Sequence, residues 1–452
     1  MFGRIKRIFK KKENKRKKNV NVALVAERNG WSYEEAHKKM RAVYDEYGIK
    51  YVTYAQERME NMTPEQITMR AKKMNAKQLK CYNKLLEVTG WDKEYADHEL
   101  KRVKKKYGIG PVKYFMEQYF LLSDEEIEEK LAQKEAADRE RMARLMEKSG
   151  WSEEALRKHI KECNANYGTD AVEYELFRCW ELTNEELDEY ATLFTTRRLA
   201  RTHNKGATKY TENKVDFDRY FKDFIQRKFW CNEPGATYES FLEFIDGLDE
   251  LFCKPINLMQ GRGAFKVKLS DWEPRALYDD FMSKPMFLIE ECVKQHHLMN
   301  ELYDGAVNTV RLVTILHDGE SKIISSFIRI GANGSVVDNM VAGGILAGVD
   351  EETGEVITGA VDNTGEVHDV HPNTGAQILG FKIPNFEMAK EVALKAFGAY
   401  EGLGYIGWDV AICEDKAVII EGNTLPGLAS YQCAFAKEPY KKGMLYKFKP
   451  YM

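Results

Sequence analysis

Residues 408–427 read WDVAICEDKAVIIEGNTLPG, and this stretch decides the fold of the second half of the chain. Two apolar runs, Trp408 to Cys413 and Ala417 to Ile420, flank the polar turn Glu414-Asp415-Lys416, which is the pattern of a β-hairpin. Asp409 and Glu421 are equidistant from Asp415, so a hairpin centred there sets them opposite one another, with Cβ atoms about 4.5–5.5 Å apart. Two carboxylates at that spacing repel unless a cation lies between them. Asn423, two residues beyond Glu421, brings an amide oxygen to the same face. An oxygen-only set that is open on one side suits Mg²⁺, which prefers octahedral oxygens and leaves positions for water and nucleotide phosphates.

Upstream of the hairpin lie the cations such a site needs. The run Leu251-Phe252-Cys253-Lys254-Pro255-Ile256 predicts a short strand bearing Lys254, and Gln260-Gly261-Arg262-Gly263 predicts a flexible loop whose amides cradle phosphate. Lys214, in Thr211-Glu212-Asn213-Lys214, offers a second ammonium. Phe287-Leu288-Ile289-Glu290-Glu291 is an apolar strand ending in acids, and its edge suits an adenine ring while the lysines meet the phosphates. A further hairpin, Thr309 to Leu316 and Lys322 to Ile330, is interrupted by Arg311 and Arg329. An arginine in a buried strand requires an anion, either a structural carboxylate or a bound phosphate.

The first part of the chain is different. Gly30-Trp31, Gly90-Trp91 and Gly150-Trp151 recur at a spacing of 60 residues, as do Tyr47-Gly48, Tyr107-Gly108 and Tyr167-Gly168. Each tryptophan precedes a helix-capping type, Ser32, Asp92 or Ser152, and then an apolar stripe at helical spacing that ends on the tyrosine. Capping boxes at Thr63–Gln66, Ser123–Glu126 and Thr183–Glu186 announce further helices. One such unit cannot bury its own stripe, so three stacked helical repeats over residues 19–192 are expected, with the tryptophans as packing anchors and the module as a scaffold or docking surface for a protein partner.

From residue 193 to 452 glycine becomes frequent, β-branched residues cluster and short apolar runs alternate with turn signals, the look of an α+β domain. Residues 1–18 form a basic tail: ten Lys and Arg side chains stand between positions 4 and 18 against Glu13 alone. Phe2, Ile5, Ile8 and Phe9 fall at helical spacing among them, so the tail reads either as a solvated arm or as a segment lying on an anionic membrane surface. With 44% hydrophobic and 31% charged residues and no apolar run of membrane-spanning length, the chain is expected to be globular and cytoplasmic, with nucleic acid no expected partner. The eight cysteines form no C-x-x-C pair, which suits reduced thiols, and the neighbouring His368 and His371 read as part of a polar loop.

Five phrases in order, Asn308-Thr309-Val310-Arg311, Asp338-Asn339 with Gly343-Gly344, His371-Pro372-Asn373-Thr374-Gly375, Gly407-Trp408-Asp409 and Glu421-Gly422-Asn423-Thr424-Leu425-Pro426-Gly427, resemble the ATP-grasp superfamily, and especially its sugar-transfer-associated branch. The resemblance implies an α+β fold of two subdomains holding ATP between antiparallel sheets. It implies that Lys214 and Lys254 hold phosphates, that Gly261, Arg262 and Gly263 form the mobile loop, and that Glu290, Glu291 and Val293 make the hinge against adenine. It further implies that Asp409, Glu421 and Asn423 hold magnesium, two ions being expected, and that Arg329, with Arg311 beside it, steadies the transferred phosphoryl group. Where many members place a glutamate on the ribose, this chain has Gln295, His296 and His297, and His296 is the candidate contact. The activity implied is carboxylate–amine ligation through an acyl phosphate in cell-envelope or capsular polysaccharide synthesis, at the inner membrane face. A kinase acting on a hydroxyl, and a nucleotide-binding scaffold without catalysis, are the alternatives.

Overall fold

The computed structural model describes residues 19–452, apart from 212, 257–260, 262, 285, 438 and 439, and of 207 and 208 the backbone alone. The basic tail and Arg262 therefore lie outside the described residues. Among the described residues no helix is long and apolar enough to cross a membrane. The chain divides into two compact units, Met1–Gly168 and Thr169–Met452.

The first unit is helical. Helices of 15 residues run over Tyr33–Tyr47, Lys93–Tyr107 and Glu153–Tyr167, each capped at its start by a side chain, Ser32, Asp92 or Ser152, that accepts a backbone N–H of the first turn. Each ends on a glycine in the left-handed region, Gly48, Gly108 or Gly168, which satisfies a last carbonyl without a Cβ penalty. Between them stand two helices of 26 residues, Pro64–Thr89 and Asp124–Ser149, opened by the capping boxes at Thr63 and Ser123. Ala36 and Met40 of the first stripe and Ala96, Leu100 and Val103 of the second are buried, as the periodicity requires.

The second unit holds two antiparallel sheets. Strands β1 (Phe229–Cys231), β2 (Glu250–Pro255), β3 (Phe265–Lys268) and β4 (Phe287–Glu291) form the smaller, in the order β1-β4-β2-β3. Helices Tyr238–Ile245 and Pro274–Met282 supply Phe241, Phe244, Leu277 and Phe281 to a core shared with Trp230, Leu251, Cys253 and Ile289 of the strands. The larger sheet contains β5 (Thr309–His317), β6 (Glu320–Ile330), β7 (Ile345–Gly348), β8 (Ala360–Val361), β9 (Val367–His368), β10 (Tyr405–Ile412) and β11 (Ala417–Asn423), ordered β11-β10-β5-β6-β7-β8-β9. One face packs Val310, Leu312, Ile328 and Trp408 against helix Phe386–Gly398, and the other packs Val313, Ile315, Phe327 and Tyr405 against helices Leu193–His203 and Leu428–Phe435. Buried on both faces, β10 reads as a near-continuous apolar run, and the lone acid in it, Asp409, is only 2% exposed.

Both hairpins form where the apolar runs and turn residues place them, but the register of β10 with β11 has a different origin. Near the turn Ile412 pairs with Ala417, Ala411 with Val418 and Val410 with Ile419. A bulge between Val410 and Asp409 then shifts the ladder, so that Asp409 pairs with Glu421 and Gly407 with Asn423 while Ile420 has no cross-strand partner. The turn is thus centred half a residue earlier than Asp415. The extra residue in the bulge restores the facing pair that symmetry about Asp415 would give.

Candidate nucleotide and metal site

The site is built on the edge of the larger sheet. Glu421, Asp409, Arg311 and Phe327 form one cross-strand row, and Thr309 with Arg329 forms the neighbouring row. Arg311 donates from Nε and Nη2 to the two oxygens of Asp409, the latter at 2.7 Å, and from Nη1 to the Pro426 carbonyl at 3.1 Å. Arg329 donates from Nη1 to Asp409 Oδ2 at 2.5 Å and lies 2.8 Å through Nη2 from Asp338 Oδ1. Asp338 Oδ2 in turn accepts from Thr309 N at 3.1 Å and from the Thr309 hydroxyl. The result is a buried chain of alternating charge, Asp338–Arg329–Asp409–Arg311.

Electrostatics follow from this order. Burial alone would raise the Asp409 carboxyl, but the two guanidiniums hold it far below the usual carboxylate range. Asp338 shares only Arg329, so for it burial wins and its carboxyl is pushed up to about 6. Glu421 is half-buried and its Oε1 accepts from Asn423 Nδ2 at 2.9 Å. All three expected metal ligands therefore meet on one face.

Close approach in this region needs glycine. A Cβ on Gly407 would fall 2.4 Å from Pro426 Cβ and 3.0 Å from Arg311 Cδ. Gly261 has φ +71° and a Cβ there would fall 2.7 Å from Val337, next to Asp338 in the chain, which seats the described part of the glycine-rich loop over this end of the site.

The cations come from the other sheet. Lys254 on β2 pairs with the Glu290 carboxylate on β4. Lys214, at the start of helix Lys214–Tyr220, donates to the carbonyls of Ile256 at 3.2 Å and Pro255 at 3.4 Å. Burial lowers the Lys214 ammonium below its ordinary value, with Lys254 adding to the effect and Glu421 and Glu290 opposing it. That mutual influence puts both lysines and Glu421 in one electrostatic neighbourhood.

Other expected positions take structural parts. Arg311 takes the structural-carboxylate alternative that the sequence left open: its fork closes on Asp409 and a backbone carbonyl. Glu290 lies on β4, and its buried side chain holds Lys254 and Arg227. Glu291 accepts from Lys228 N at 3.1 Å, and Val293 packs beside Ala411, Cys413 and Val418. His296 caps helix His297–Leu302, its Nδ1 accepting from Leu298 N at 3.1 Å, and its Nε2 faces Glu414 at 3.4 Å. Gln295 is consumed by Asn308 N, Asn300 and the carbonyls of Tyr303 and Ala306.

Arg227, absent from the sequence reading, belongs here, as does Asp338, read there only as part of a phrase. Asp338 carries a signal, an acid eight residues beyond an apolar hairpin that contains two arginines. Arg227, between Gln226 and Lys228 in a polar loop, carries none.

Residues 224–439 match the family described as "Sugar-transfer associated ATP-grasp". No curated protein matches the chain. Among solved structures, D-alanyl-alanine synthetase A from Vibrio cholerae is similar at 14% identity over 49% of this chain and 56% of that one, with a TM-score of 0.30. Carboxyaminoimidazole ribonucleotide synthase from Aspergillus clavatus, solved with ATP, is similar at 16% identity over 48% and 46%, with a TM-score of 0.30. L-amino acid ligase from Bacillus licheniformis is similar at 12% over 57% and 52%, with a TM-score of 0.33. The chain spans about half the length of these structures.

Proposed function

We propose, from the match of residues 224–439 to the sugar-transfer associated ATP-grasp family, that the chain is an ATP- and Mg²⁺-dependent carboxylate–amine ligase. The observation that carries this reading is the pairing of Asp409 with Glu421 across β10 and β11, beside Asn423 and within the field of Lys214.

The donor set fits magnesium. A carboxylate has about four acceptor positions. Three on Asp409 are taken by Arg311 Nε, Arg311 Nη2 and Arg329 Nη1, which leaves one on Oδ1 for an ion. Glu421 adds a half-buried carboxylate, and Asn423 adds its Oδ1 on turning the amide now donated to Glu421. When bound, magnesium supplies charge neutralisation at the β- and γ-phosphates.

In this reading a carboxylate oxygen of the acceptor takes the γ-phosphoryl group with ADP leaving, and an amine then displaces inorganic phosphate to form the amide. Lys214 and Lys254 neutralise the triphosphate, and Arg329, held from both sides by Asp338 and Asp409, presents a fixed positive charge to the group in transfer. No side-chain nucleophile is needed. The words sugar-transfer in the family description support a sugar-linked acceptor, and we extend this to cell-envelope or capsular polysaccharide chemistry on the cytoplasmic side. The basic tail would hold the enzyme near anionic lipid and the helical unit would dock a protein partner.

A screen of amino acids and uronic acids for acceptor-dependent ADP release, with mass spectrometry of the product, tests the proposal. An amide product with equimolar ADP and phosphate supports it. A stable phosphorylated alcohol would make the enzyme a kinase, and no nucleotide turnover with any acceptor would leave a scaffold.

A further inference from the structure

The bulge at Ile420 and the lysine strand are tied together by one buried side chain. Arg227 lies between the last turn of helix Lys222–Ile225 and β1, and its side chain is 4% exposed. On the larger sheet it donates from Nη1 to the Ile419 carbonyl at 2.7 Å and from Nη2 to the Ile420 carbonyl at 3.2 Å. These are the two residues at the register shift that brings Glu421 opposite Asp409. On the smaller sheet it donates from Nε to Glu290 Oε1 at 2.7 Å and from Nη2 to the same oxygen. The other oxygen of Glu290 holds Lys254. Asp218, 2% exposed, stands 3.5 Å from Arg227 Nη2.

A bulged residue has no ladder partner to fix its height above the sheet, so whatever binds its carbonyls sets where the next side chain points. Here the next side chain is Glu421. The same guanidinium, through Glu290, sets where the Lys254 ammonium stands. A planar fork is suited to holding two carbonyls and a carboxylate in one plane, and an ammonium is not.

We propose that Arg227 is a positioning residue for the nucleotide site: it locks the carboxylate-bearing bulge of β11 and the Lys254–Glu290 pair at one spacing, so that magnesium and the triphosphate are met together. The inference rests on the ATP-and-magnesium reading above and goes beyond it by coupling two groups that touch different parts of the nucleotide.

The test is calorimetric binding of MgADP to the full chain, in wild type, Arg227→Lys, Lys254→Met and the double variant, with the magnesium concentration for half-maximal ADP binding read in parallel. Arg227→Lys is expected to weaken MgADP about tenfold or more and to raise the magnesium requirement, with the cooperative melt retained. In the Lys254→Met background the same change is expected to cost clearly less than tenfold, because one of the two groups it positions is already gone, while the magnesium requirement still rises through the β11 bulge. Full additivity, or Arg227→Lys binding like wild type at a lowered melting temperature, would reduce Arg227 to a stabiliser and overturn the proposal. Should Arg227→Lys not fold, Glu290→Gln leaves Arg227 on its carbonyls and frees Lys254; it is expected to weaken MgADP while leaving the magnesium requirement near that of wild type, and an unchanged affinity overturns the proposal. Wild type that binds no MgADP would instead sink the reading of the site, and this inference with it.

Discussion

Asp409 stands directly across the strand pair from Arg311, and that guanidinium closes on both of its carboxylate oxygens. The pair is almost wholly buried, with 2% exposure at the acid and 10% at the arginine. Replacing Arg311 by lysine keeps the charge but removes the fork, leaving one oxygen of Asp409 and the Pro426 carbonyl short of a donor. The expected loss is about 2–4 kcal/mol of unfolding free energy, read as a lowered urea midpoint. An unchanged midpoint would mean that the pair contributes nothing net.

Asp218 gives a pH dependence with a definite sign. Burial, reinforced by the Glu290 carboxylate, pushes its carboxyl from the ordinary 3.8 up to about 8. The folded chain therefore holds a proton that the unfolded chain releases between those values, and stability falls as pH rises through that window. Asp218→Asn removes the titration, so the drop in melting temperature from pH 6 to pH 8.5 should shrink. A variant whose melting temperature falls as steeply as wild type would contradict the assignment.

Lys214 is a lysine that gives up its proton early, because it is buried beside Lys254. Nucleotide affinity that depends on its charge should decline on the alkaline side at a lower pH than an ordinary lysine would set. Lys214→Arg, charged throughout, should move that decline upward, and Lys214→Met should lower affinity about tenfold or more at every pH. Fluorescence titration with a labelled ADP across pH 7 to 10 separates these outcomes.

Gly407 makes room for the row that Asp409 occupies. Gly407→Ala would bring a methyl group to 2.4 Å from Pro426 Cβ, so β10 or the Pro426 loop must shift. An overpacking loss of about 1–3 kcal/mol is expected, together with a raised magnesium requirement, since Asn423 pairs with this same position. A variant with wild-type melting and magnesium dependence would show that the loop yields freely.

The sequence made the acid-bearing hairpin legible because polar residues in an apolar strand are conspicuous: Asp409 sits amid Trp408, Val410 and Ala411, and only a charged partner keeps it there. Arg311 and Arg329 were legible for the same reason, as cations in need of an anion, though not that one acid serves both. The facing of Asp409 and Glu421 was legible only as an outcome. Symmetry about Asp415 reaches the right pair, whereas the ladder reaches it through a bulge that no residue preference around Ile420 announces. Arg227 was illegible altogether, since its partners are main-chain carbonyls and a carboxylate 63 positions away, and neither leaves a mark in its own neighbourhood.

The division between the compact units falls between Gly168 and Thr169, just after the third Tyr-Gly pair of the sequence, and this bears on how the molecule can be cut. Gln432, wholly enclosed, accepts from Ala191 N at 3.0 Å, and Glu173 accepts from Leu193 N at 2.7 Å, so the tail of that copy is stitched into the body that carries the hairpins. A fragment beginning at residue 193 would take the Glu173 acceptor from Leu193 N and bare the apolar bed under Tyr174 and Trp180, inviting aggregation; one beginning at Thr169 keeps its own lining.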